Sequence, residues 1–319
     1  MSKRELLEAT LVIAIGLATF SSALAQSYPS RPLQLVAPFS GGSSTDIAAR
    51  GLAEGLSAQL GQPAVVINRE GASGTIALAA VAYAAPDGYT LAFTPQGPLT
   101  IQPHLKPNLP YRLDAFQPLC QVVEDSFGIL VGPTSPIVDF KDLLKRARAK
   151  PKSLTFGTTG VATVPHLQVE GLALAAGVEF VHAPYRVTGQ LIADTLGGKL
   201  DFAVSTIVSI SGGNGRVIAV LGPMRSPRHP AVPTVDELGF EVSMPGFVGL
   251  YAPKAAPAAV HDRLEAACAK AFASMSFQNM AANAGTSPLY LPRAAFAERL
   301  AADSREKAAL IKALNIKID

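Results

Sequence analysis

Two patterns of hydrophobic and polar positions alternate along the chain. Short apolar runs, the first at residues 33–37, are typical of buried strands. Longer stretches carry apolar side chains at every third or fourth position, which indicates a helix with one buried face. In residues 45–60 these side chains are Ala48, Leu52 and Leu56. The alternation continues with strands at 64–67, 90–93 and 119–123 and a helix at 74–85.

A second alternating unit begins near residue 128. It predicts strands at 129–131, 153–156, 179–182, 201–204 and 217–220, and helices at 139–149, 164–176 and 188–196. After a strand at 247–252 the tail predicts only helices, at 257–273 and 293–314. Because it offers no further strand for a third sheet, we expect this tail to pack back onto the first unit. The order predicts an α/β protein of two lobes, each with a sheet flanked by helices.

Composition agrees with a globular chain that is long enough for two lobes. The 319 residues are 49% hydrophobic and 16% charged, and the net charge of +3 is spread along the sequence. No basic run or aromatic-interleaved patch stands out, so we expect no nucleic-acid partner.

The N-terminus has the pattern of a secretory signal peptide. Lys3 and Arg4 are followed by ten uncharged residues at 11–20 and by the small-residue pattern of Ala23 and Ala25. A buried N-terminal helix is the alternative. The signal predicts cleavage after residue 25 and a periplasmic protein, since no later run is long enough to span a membrane.

The two cysteines, Cys120 and Cys268, are far apart in the sequence. Cys120 lies in a strand-like stretch and Cys268 in a helix-like one. We interpret them as two buried free thiols. A disulfide, which export would permit, is the alternative.

A loop rich in glycine and serine follows the first predicted strand and opens the first helix. At the carboxyl end of a parallel strand such a loop faces the crevice where ligands bind. Gly41 and Gly42 allow close approach of the backbone, and the helix N-terminus favours an anion. The hydroxyls of Ser40, Ser43, Ser44 and Thr45 add donors. The spacing is neither a dinucleotide fingerprint nor a phosphate loop, so a carboxylate fits better; an ordinary capped helix entry is the alternative.

The second unit has an analogous loop at residues 157–163, again between a strand and a helix. Two such loops, one on each lobe, predict an anion site in the cleft between them. His166, at the start of the helix, could contact the ligand or could bond the backbone instead. Arg186 could pair with a carboxylate or be merely exposed. Ser205 and Thr206 follow another strand and could donate to the ligand or simply begin a loop.

A search for catalytic or metal-binding patterns is negative. Residues 71–74 lack the glycine spacing of a nucleophile elbow, and the five histidines are dispersed. We therefore expect no enzymatic activity, no metal and no cofactor. An exported hydrolase on the same scaffold is the less favoured alternative.

Short motifs spread over nearly the whole chain after the predicted signal resemble one family. They are Tyr28-Pro29-Ser30-Arg31-Pro32, Pro38-Phe39, Gly41-Gly42, Thr45-Asp46, Leu60-Gly61-Gln62-Pro63, Asn68-Arg69 with Gly71 and Gly74, Ala85-Pro86-Asp87-Gly88-Tyr89-Thr90, Gly157 with Gly160, Thr163 and His166-Leu167, Pro184-Tyr185, Leu196-Gly197-Gly198 with Asp201, and Val232-Pro233-Thr234-Val235. In order and spacing they resemble the Bug-type substrate-binding proteins of tripartite tricarboxylate transporters.

The resemblance implies a two-lobed type II periplasmic binding protein fold with two interlobe crossovers. The division it implies is a signal peptide at 1–25, lobe 1 at 26–126, lobe 2 at 127–246, and a return to lobe 1 at 247–319. It implies a small organic carboxylate as ligand, held by the two loops largely through backbone and water. It also implies delivery to integral-membrane transporter subunits, or presentation to a sensor kinase; we expect a monomer.

These considerations together give one set of candidate ligand-binding residues. They are Phe39, Ser40, Gly41, Gly42, Ser43, Thr45, Asp46, Gly157, Thr158, Thr159, Gly160, Thr163, His166, Tyr185, Arg186, Ser205 and Thr206.

The chain departs from the family pattern next to the expected cleft. Ser205-Thr206 stands where the family often has an Asp-Asn-like pair, Arg186-Val187 replaces Lys-Gly, and residues 211–215 replace a longer helical stretch. An acid after that strand could pair with a ligand ammonium group. Its loss leads to the hypothesis that the ligand is a purely anionic carboxylate and not an amino acid.

Overall fold

The computed structural model describes residues 28–222, 224–242, 244–314 and 316. The predicted signal peptide at 1–25 lies outside these residues. Within the described ranges, no helix combines the length and the apolar character needed to cross a membrane.

Strands and helices alternate along most of the chain. The strands are β1 (Leu33–Ala37), β2 (Ala64–Asn68), β3 (Thr90–Pro95), β4 (Phe116–Asp125), β5 (Phe127–Val131), β6 (Thr155–Thr158), β7 (Val181–Pro184), β8 (Phe202–Thr206), β9 (Arg216–Leu221), β10 (Gly246–Pro253) and β11 (Ser287–Pro292). The α-helices are α1 (Ser44–Leu60), α2 (Thr75–Ala82), α3 (Gly97–Thr100), α4 (Phe140–Ala149), α5 (Val164–Ala176), α6 (Thr188–Leu196), α7 (Ile207–Ile210), α8 (Ala258–Phe272), α9 (Met275–Ala284) and α10 (Arg293–Ala313).

The strands form two mixed sheets, which confirms the α/β class and the two lobes. The sheet of lobe 1 has the order β11-β4-β10-β3-β1-β2, and the sheet of lobe 2 has the order β7-β6-β8-β5-β9. In lobe 1, β1 pairs in parallel with β2 and β3, whereas β10 is antiparallel to β3 and β4. The chain enters lobe 2 at Ser126, between β4 and β5, and returns before Gly246.

Helices cover both faces of the lobe 1 sheet. Leu35, on one face of β1, shares a core with Leu52 of α1 and Leu264 of α8. Val36, on the opposite face, packs in a second core with Leu78 of α2 and with α10. Successive residues of a strand point to opposite faces, so a continuous apolar run such as β1 is buried on both sides.

The tail adds two elements that the hydrophobic pattern does not predict, β11 and α9. The expectation of an all-helical tail after β10 is therefore wrong. Strand β11 pairs antiparallel with β4 at the edge of the lobe 1 sheet. It contains Pro288 and Pro292, and proline within a run argues against a strand unless the strand lies at an edge. The tail does return to lobe 1, as expected.

Cys120 and Cys268 form a disulfide, so the interpretation as two free thiols is wrong. Helix α8 packs on the face of the sheet that carries Cys120, and both residues are fully buried. The Cα atoms are 6.6 Å apart, within the range that a disulfide bridges. The sequence separates the two cysteines by 148 positions, and only the tertiary packing brings them together.

Candidate ligand-binding cleft

The two lobes face each other across a cleft of about 640 Å³, counted out to its mouth. Its walls come from loops at the ends of strands and from the first residues of helices in both lobes. The residues that line it are Phe39, Ser43, Ser44, Thr45, Ser73, Pro95, Gln96, Gly97, Pro98, Asp125, Phe127, Thr159, Ala162, Thr163, Val164, Pro165, Thr188, Ser205, Thr206, Ser209 and Gly246.

The first predicted loop supplies the wall of lobe 1 through the start of α1. Ser43 caps this helix, with its hydroxyl accepting a 3.3 Å hydrogen bond from the Asp46 N–H. Ser44 and Thr45, the first two helical residues, line the cleft. The first N–H groups of a helix lack partners within the helix and carry the positive end of its dipole. This wall therefore favours an anion.

Of the remaining predicted residues of this loop, Phe39 lines the cleft, whereas Gly42 and Asp46 hold the shape of the loop from behind. Gly42 has φ +80°, a conformation that favours glycine, and its N–H donates to the Asp46 carboxylate at 2.9 Å. Arg50 and Asn68 donate to the same carboxylate. Burial by itself raises the pKa of Asp46, but these hydrogen bonds bring it below its ordinary value. Ser40 and Gly41 also lie outside the cleft lining.

The second predicted loop supplies the facing wall from lobe 2. Thr159 and Thr163 line the cleft together with Val164, the first residue of α5. The loop is held by hydrogen bonds of 3.0 Å from the hydroxyls of Thr158 and Thr163 to the carbonyl of Gly160. Gly160 itself has φ +132° and does not line the cleft, and neither do Gly157 and Thr158.

His166 lies behind the second loop and does not line the cleft. Its Nδ1 accepts a 3.0 Å hydrogen bond from the Ala162 N–H, so the ring supports the loop. It stacks on His182 with ring centroids 4.0 Å apart. Burial, with a smaller contribution from His166, lowers the pKa of His182 to about 3. A neutral His182 shares a 2.8 Å hydrogen bond with the hydroxyl of Thr158.

Tyr185 and Arg186 also lie outside the cleft lining. The Tyr185 hydroxyl donates to Asp194 at 2.9 Å, and Arg186 reaches the backbone carbonyl of Glu70 on the other lobe at 3.5 Å. The next element does reach the cleft, because Thr188, the first residue of α6, lines it. A third helix N-terminus thus joins those of α1 and α5.

Ser205 and Thr206, at the end of β8, line the cleft beside Ser209. The Thr206 hydroxyl donates to that of Ser209 at 2.9 Å. Ser205, by contrast, makes no side-chain hydrogen bond to another described residue, and the same holds for Thr45, Thr159 and Thr188. These four hydroxyls, from both lobes, are free to bond a ligand.

Sequence reasoning missed the part of the wall that follows β3. Gln96 lines the cleft, and its side-chain oxygen accepts a 2.9 Å hydrogen bond from the Phe247 N–H on the returning strand. Gly97 and Pro98 continue this wall. The sequence could have predicted this part of the wall, because β3 follows β1 and β2 in the same alternating pattern. Strand β3 is parallel to β1, so its carboxyl end lies at the same edge of the sheet.

Asp125 is the second feature that sequence reasoning missed. It is the last residue of β4 and, among the described residues, the only charged side chain that lines the cleft. Burial, reinforced by the charge of Glu124, raises the pKa of Asp125 to about 7. The cleft wall thus includes an acid after all, but it comes from β4 and not from β8.

Direct contacts join the two lobes across the cleft. The Ser73 hydroxyl of lobe 1 donates to the Val161 carbonyl of lobe 2 at 2.7 Å, and Gln102 donates to the Ala162 carbonyl at 2.9 Å. With the Arg186 contact to Glu70, these bonds describe lobes that have closed on each other.

Comparison with known proteins agrees with this architecture. A sequence profile described as "Tripartite tricarboxylate transporter family receptor" matches residues 48–316. The chain belongs to this family. Protein BugT of Bordetella pertussis is 36% identical over 254 residues, which cover 76% of this chain and 78% of BugT. The resemblance drawn from the motifs is confirmed.

Solved structures of this receptor family superimpose over most of the chain. The periplasmic binding protein BugD matches with a TM-score of 0.85 and 29% identity, over 91% of this chain and 99% of BugD. R. palustris Rpa4515 with adipate matches with a TM-score of 0.86 and 25% identity, over 91% of this chain and 99% of Rpa4515. MatC from Rhodopseudomonas palustris with bound malate matches with a TM-score of 0.81 and 26% identity, over 89% of this chain and 100% of MatC. The chain is thus a receptor of the periplasmic solute-binding type, and the fold class is confirmed.

Proposed function

We propose that this receptor captures a small organic carboxylate in its interlobe cleft and delivers it to the membrane subunits of a tripartite tricarboxylate transporter. The observation that carries the proposal is the convergence of three helix N-termini, those of α1, α5 and α6, on one cleft from both lobes. Each favours negative charge, and together they provide an anion site without a basic side chain in the described cleft lining.

The hydroxyl groups support the same assignment. Thr45 on lobe 1 and Ser205 on lobe 2 are buried, line the cleft and have no other side-chain partner among the described residues. A carboxylate accepts several hydrogen bonds at once, so it can engage both lobes and hold them closed. The adipate and malate found in two relatives of similar fold are ligands of this chemistry.

A thermal-shift screen of the mature protein tests the proposal. We expect malate, adipate or another di- or tricarboxylate to raise the melting temperature, because a ligand that binds only the folded state stabilises it by mass action. Neutral sugars serve as controls. If a sugar raises the melting temperature and no carboxylate does, the proposed ligand class is wrong.

Single substitutions then locate the site. Thr45→Val and Ser205→Ala each remove one hydroxyl from opposite walls, and we expect each to weaken carboxylate binding about tenfold or more by calorimetry. Ser153→Ala is the matched control, since that hydroxyl bonds the Lys150 carbonyl away from the cleft. Equal affinities for the control and the two cleft variants would place the ligand elsewhere.

Delivery to a transporter is tested in cells. We expect uptake of the labelled carboxylate to stop when the receptor is deleted and to return with the wild-type chain but not with Thr45→Val. Uptake that survives deletion would argue for a role in presenting the ligand to a sensor.

A further inference from the structure

Asp125 is a buried acid at the junction of the lobes, and it has no partner in the described part of the chain. It ends β4, one residue before the chain crosses to β5, and only 6% of its surface is exposed. It lines the cleft, as does Ser205, and lies opposite Gly246 in the pairing of β4 with β10. Its carboxyl group makes no hydrogen bond and no ion pair with any residue that the structure describes. Buried acids are normally paired or hydrogen-bonded, so this one is suited to meet a ligand.

Among the described residues, no cation pairs with Asp125. The neighbouring strands present Gly246 and Phe247 from β10 and Phe127 from β5, and β8 and α7 present Ser205, Thr206 and Ile207, none of which is charged. The charged groups nearby are already paired. Glu124 bonds Arg299 of α10, and Arg225, which shares a second cavity with Asp125, bonds Glu237 at 2.9 Å. Together with burial, the charge of Glu124 raises the pKa of Asp125.

The helix N-termini of the same cleft draw in an anion, which leaves two possible states for Asp125. If it were ionised, it would repel the ligand carboxylate across a poorly solvated space. If it is protonated, its O–H can donate a charge-assisted hydrogen bond to that carboxylate. An anionic ligand itself favours the protonated state, because a like charge makes ionisation harder.

We propose that Asp125 is a specificity-determining residue that, in its protonated form, donates a hydrogen bond to a carboxylate oxygen of the ligand. This inference rests on the proposed function and identifies the Asp125 carboxyl group as one that recognises the ligand. Binding above neutral pH must then take up one proton from the buffer, and the receptor should hold its ligand more tightly in acid.

Calorimetry at two pH values tests this with malate and adipate as probes. With a pKa of about 7 in the free protein, about nine-tenths of Asp125 is protonated at pH 6 and about one-tenth at pH 8. We expect about tenfold weaker binding at pH 8. At pH 8, titrations in two buffers of different ionisation enthalpy should show uptake of close to one proton per ligand bound. These two measurements use the unaltered protein and do not depend on the folding of a variant.

Substitutions of Asp125 show whether its side chain donates a hydrogen bond to the ligand or accepts one from it. Asp125→Asn keeps a donor of the same size at every pH, so it should bind within about threefold of wild type at pH 6 and lose the pH dependence. Asp125→Ala removes the donor and should bind at least about tenfold more weakly at pH 6. Asp114→Asn, a change of an exposed acid paired with Arg112, is the control and should behave as wild type.

The outcomes distinguish this inference from the proposed function. If wild type binds malate or adipate equally at both pH values without proton uptake, the inference is overturned and the function stands. If Asp125→Asn loses binding as fully as Asp125→Ala, or if amino acids bind well and dicarboxylates do not, Asp125 acts as an ionised acceptor for an ammonium group and the inference is again overturned. If no carboxylate binds wild type at either pH, the proposed function falls and the inference falls with it.

Discussion

Asparagine in place of Asp125 should stabilise the ligand-free protein above neutral pH and leave it unchanged in acid. The pKa of Asp125 is about 7 in the folded chain, against 3.8 for an ordinary aspartate. The native state therefore holds a proton that the unfolded state has already released between these two values. The contribution of this group to the free energy of unfolding is fully present below pH 4, and it is lost as the pH rises to 7. Asparagine does not titrate, so it avoids that loss.

The magnitude follows from the difference between the two pKa values. A difference of one corresponds to 1.36 kcal/mol, so the change from 3.8 to about 7 amounts to about 4 kcal/mol above pH 7. For the roughly 290 residues that the structure describes, the entropy of unfolding converts this to about 7 °C in melting temperature.

Melting temperatures of wild type and Asp125→Asn, recorded without ligand from pH 4 to pH 8.5, provide the assay. The two proteins should differ little at pH 4, and the variant should become progressively more stable as the pH rises through 7. Asp114→Asn, at an exposed position, serves as the control. A constant difference between wild type and Asp125→Asn over the whole range would refute the reasoning, since it would show that Asp125 titrates normally.

Two further predictions concern the disulfide and the contact between lobes. Reduction, or Cys120→Ala with Cys268→Ala, should destabilise the protein by up to about 5 kcal/mol, because the bond closes a loop of 148 residues; a melting temperature insensitive to reductant would contradict this. Ser73→Ala removes the hydrogen bond that joins lobe 1 to Val161 of lobe 2, so stopped-flow measurements should show ligand dissociation faster by about fivefold. Ser153→Ala should leave that rate unchanged, and equal rates for both variants would exclude a role for the Ser73 contact.

Much of the fold is predictable where local signals agree. Helices α5 and α6 begin and end where the hydrophobic period places them, and α5 ends at Gly177 in a left-handed conformation typical of a helix terminus. Strand β11 is not predictable in this way, because its prolines oppose a strand and only the edge of the lobe 1 sheet accommodates them. The disulfide is not predictable for a related reason, because its two cysteines come together only through the packing of α8 on β4.

The candidate site is predictable in position but not in detail. The rule that ligands bind at the carboxyl ends of parallel strands identifies both loops, whose walls include Thr45 and Thr163. It does not say which loop residues face inward. The side chains of His166 and Asp46 could hydrogen-bond a ligand, but in the structure they accept hydrogen bonds from the backbone of the two loops and support them from behind. Asp125 gives no local signal, because its place on the cleft wall depends on where the chain crosses between lobes.

A cleft built from helix N-termini suits a receptor that must release its ligand as well as bind it. An arginine would hold a carboxylate with two hydrogen bonds from a single lobe, and this pair would persist when the lobes open. Here the donors of α1 lie on lobe 1 and those of α5 and α6 on lobe 2, so a ligand reaches all of them only in the closed state. Opening leaves each lobe with only part of the site, so no single lobe keeps the full set of donors. In the proposed function, closure therefore completes the site for capture, and opening divides it for release.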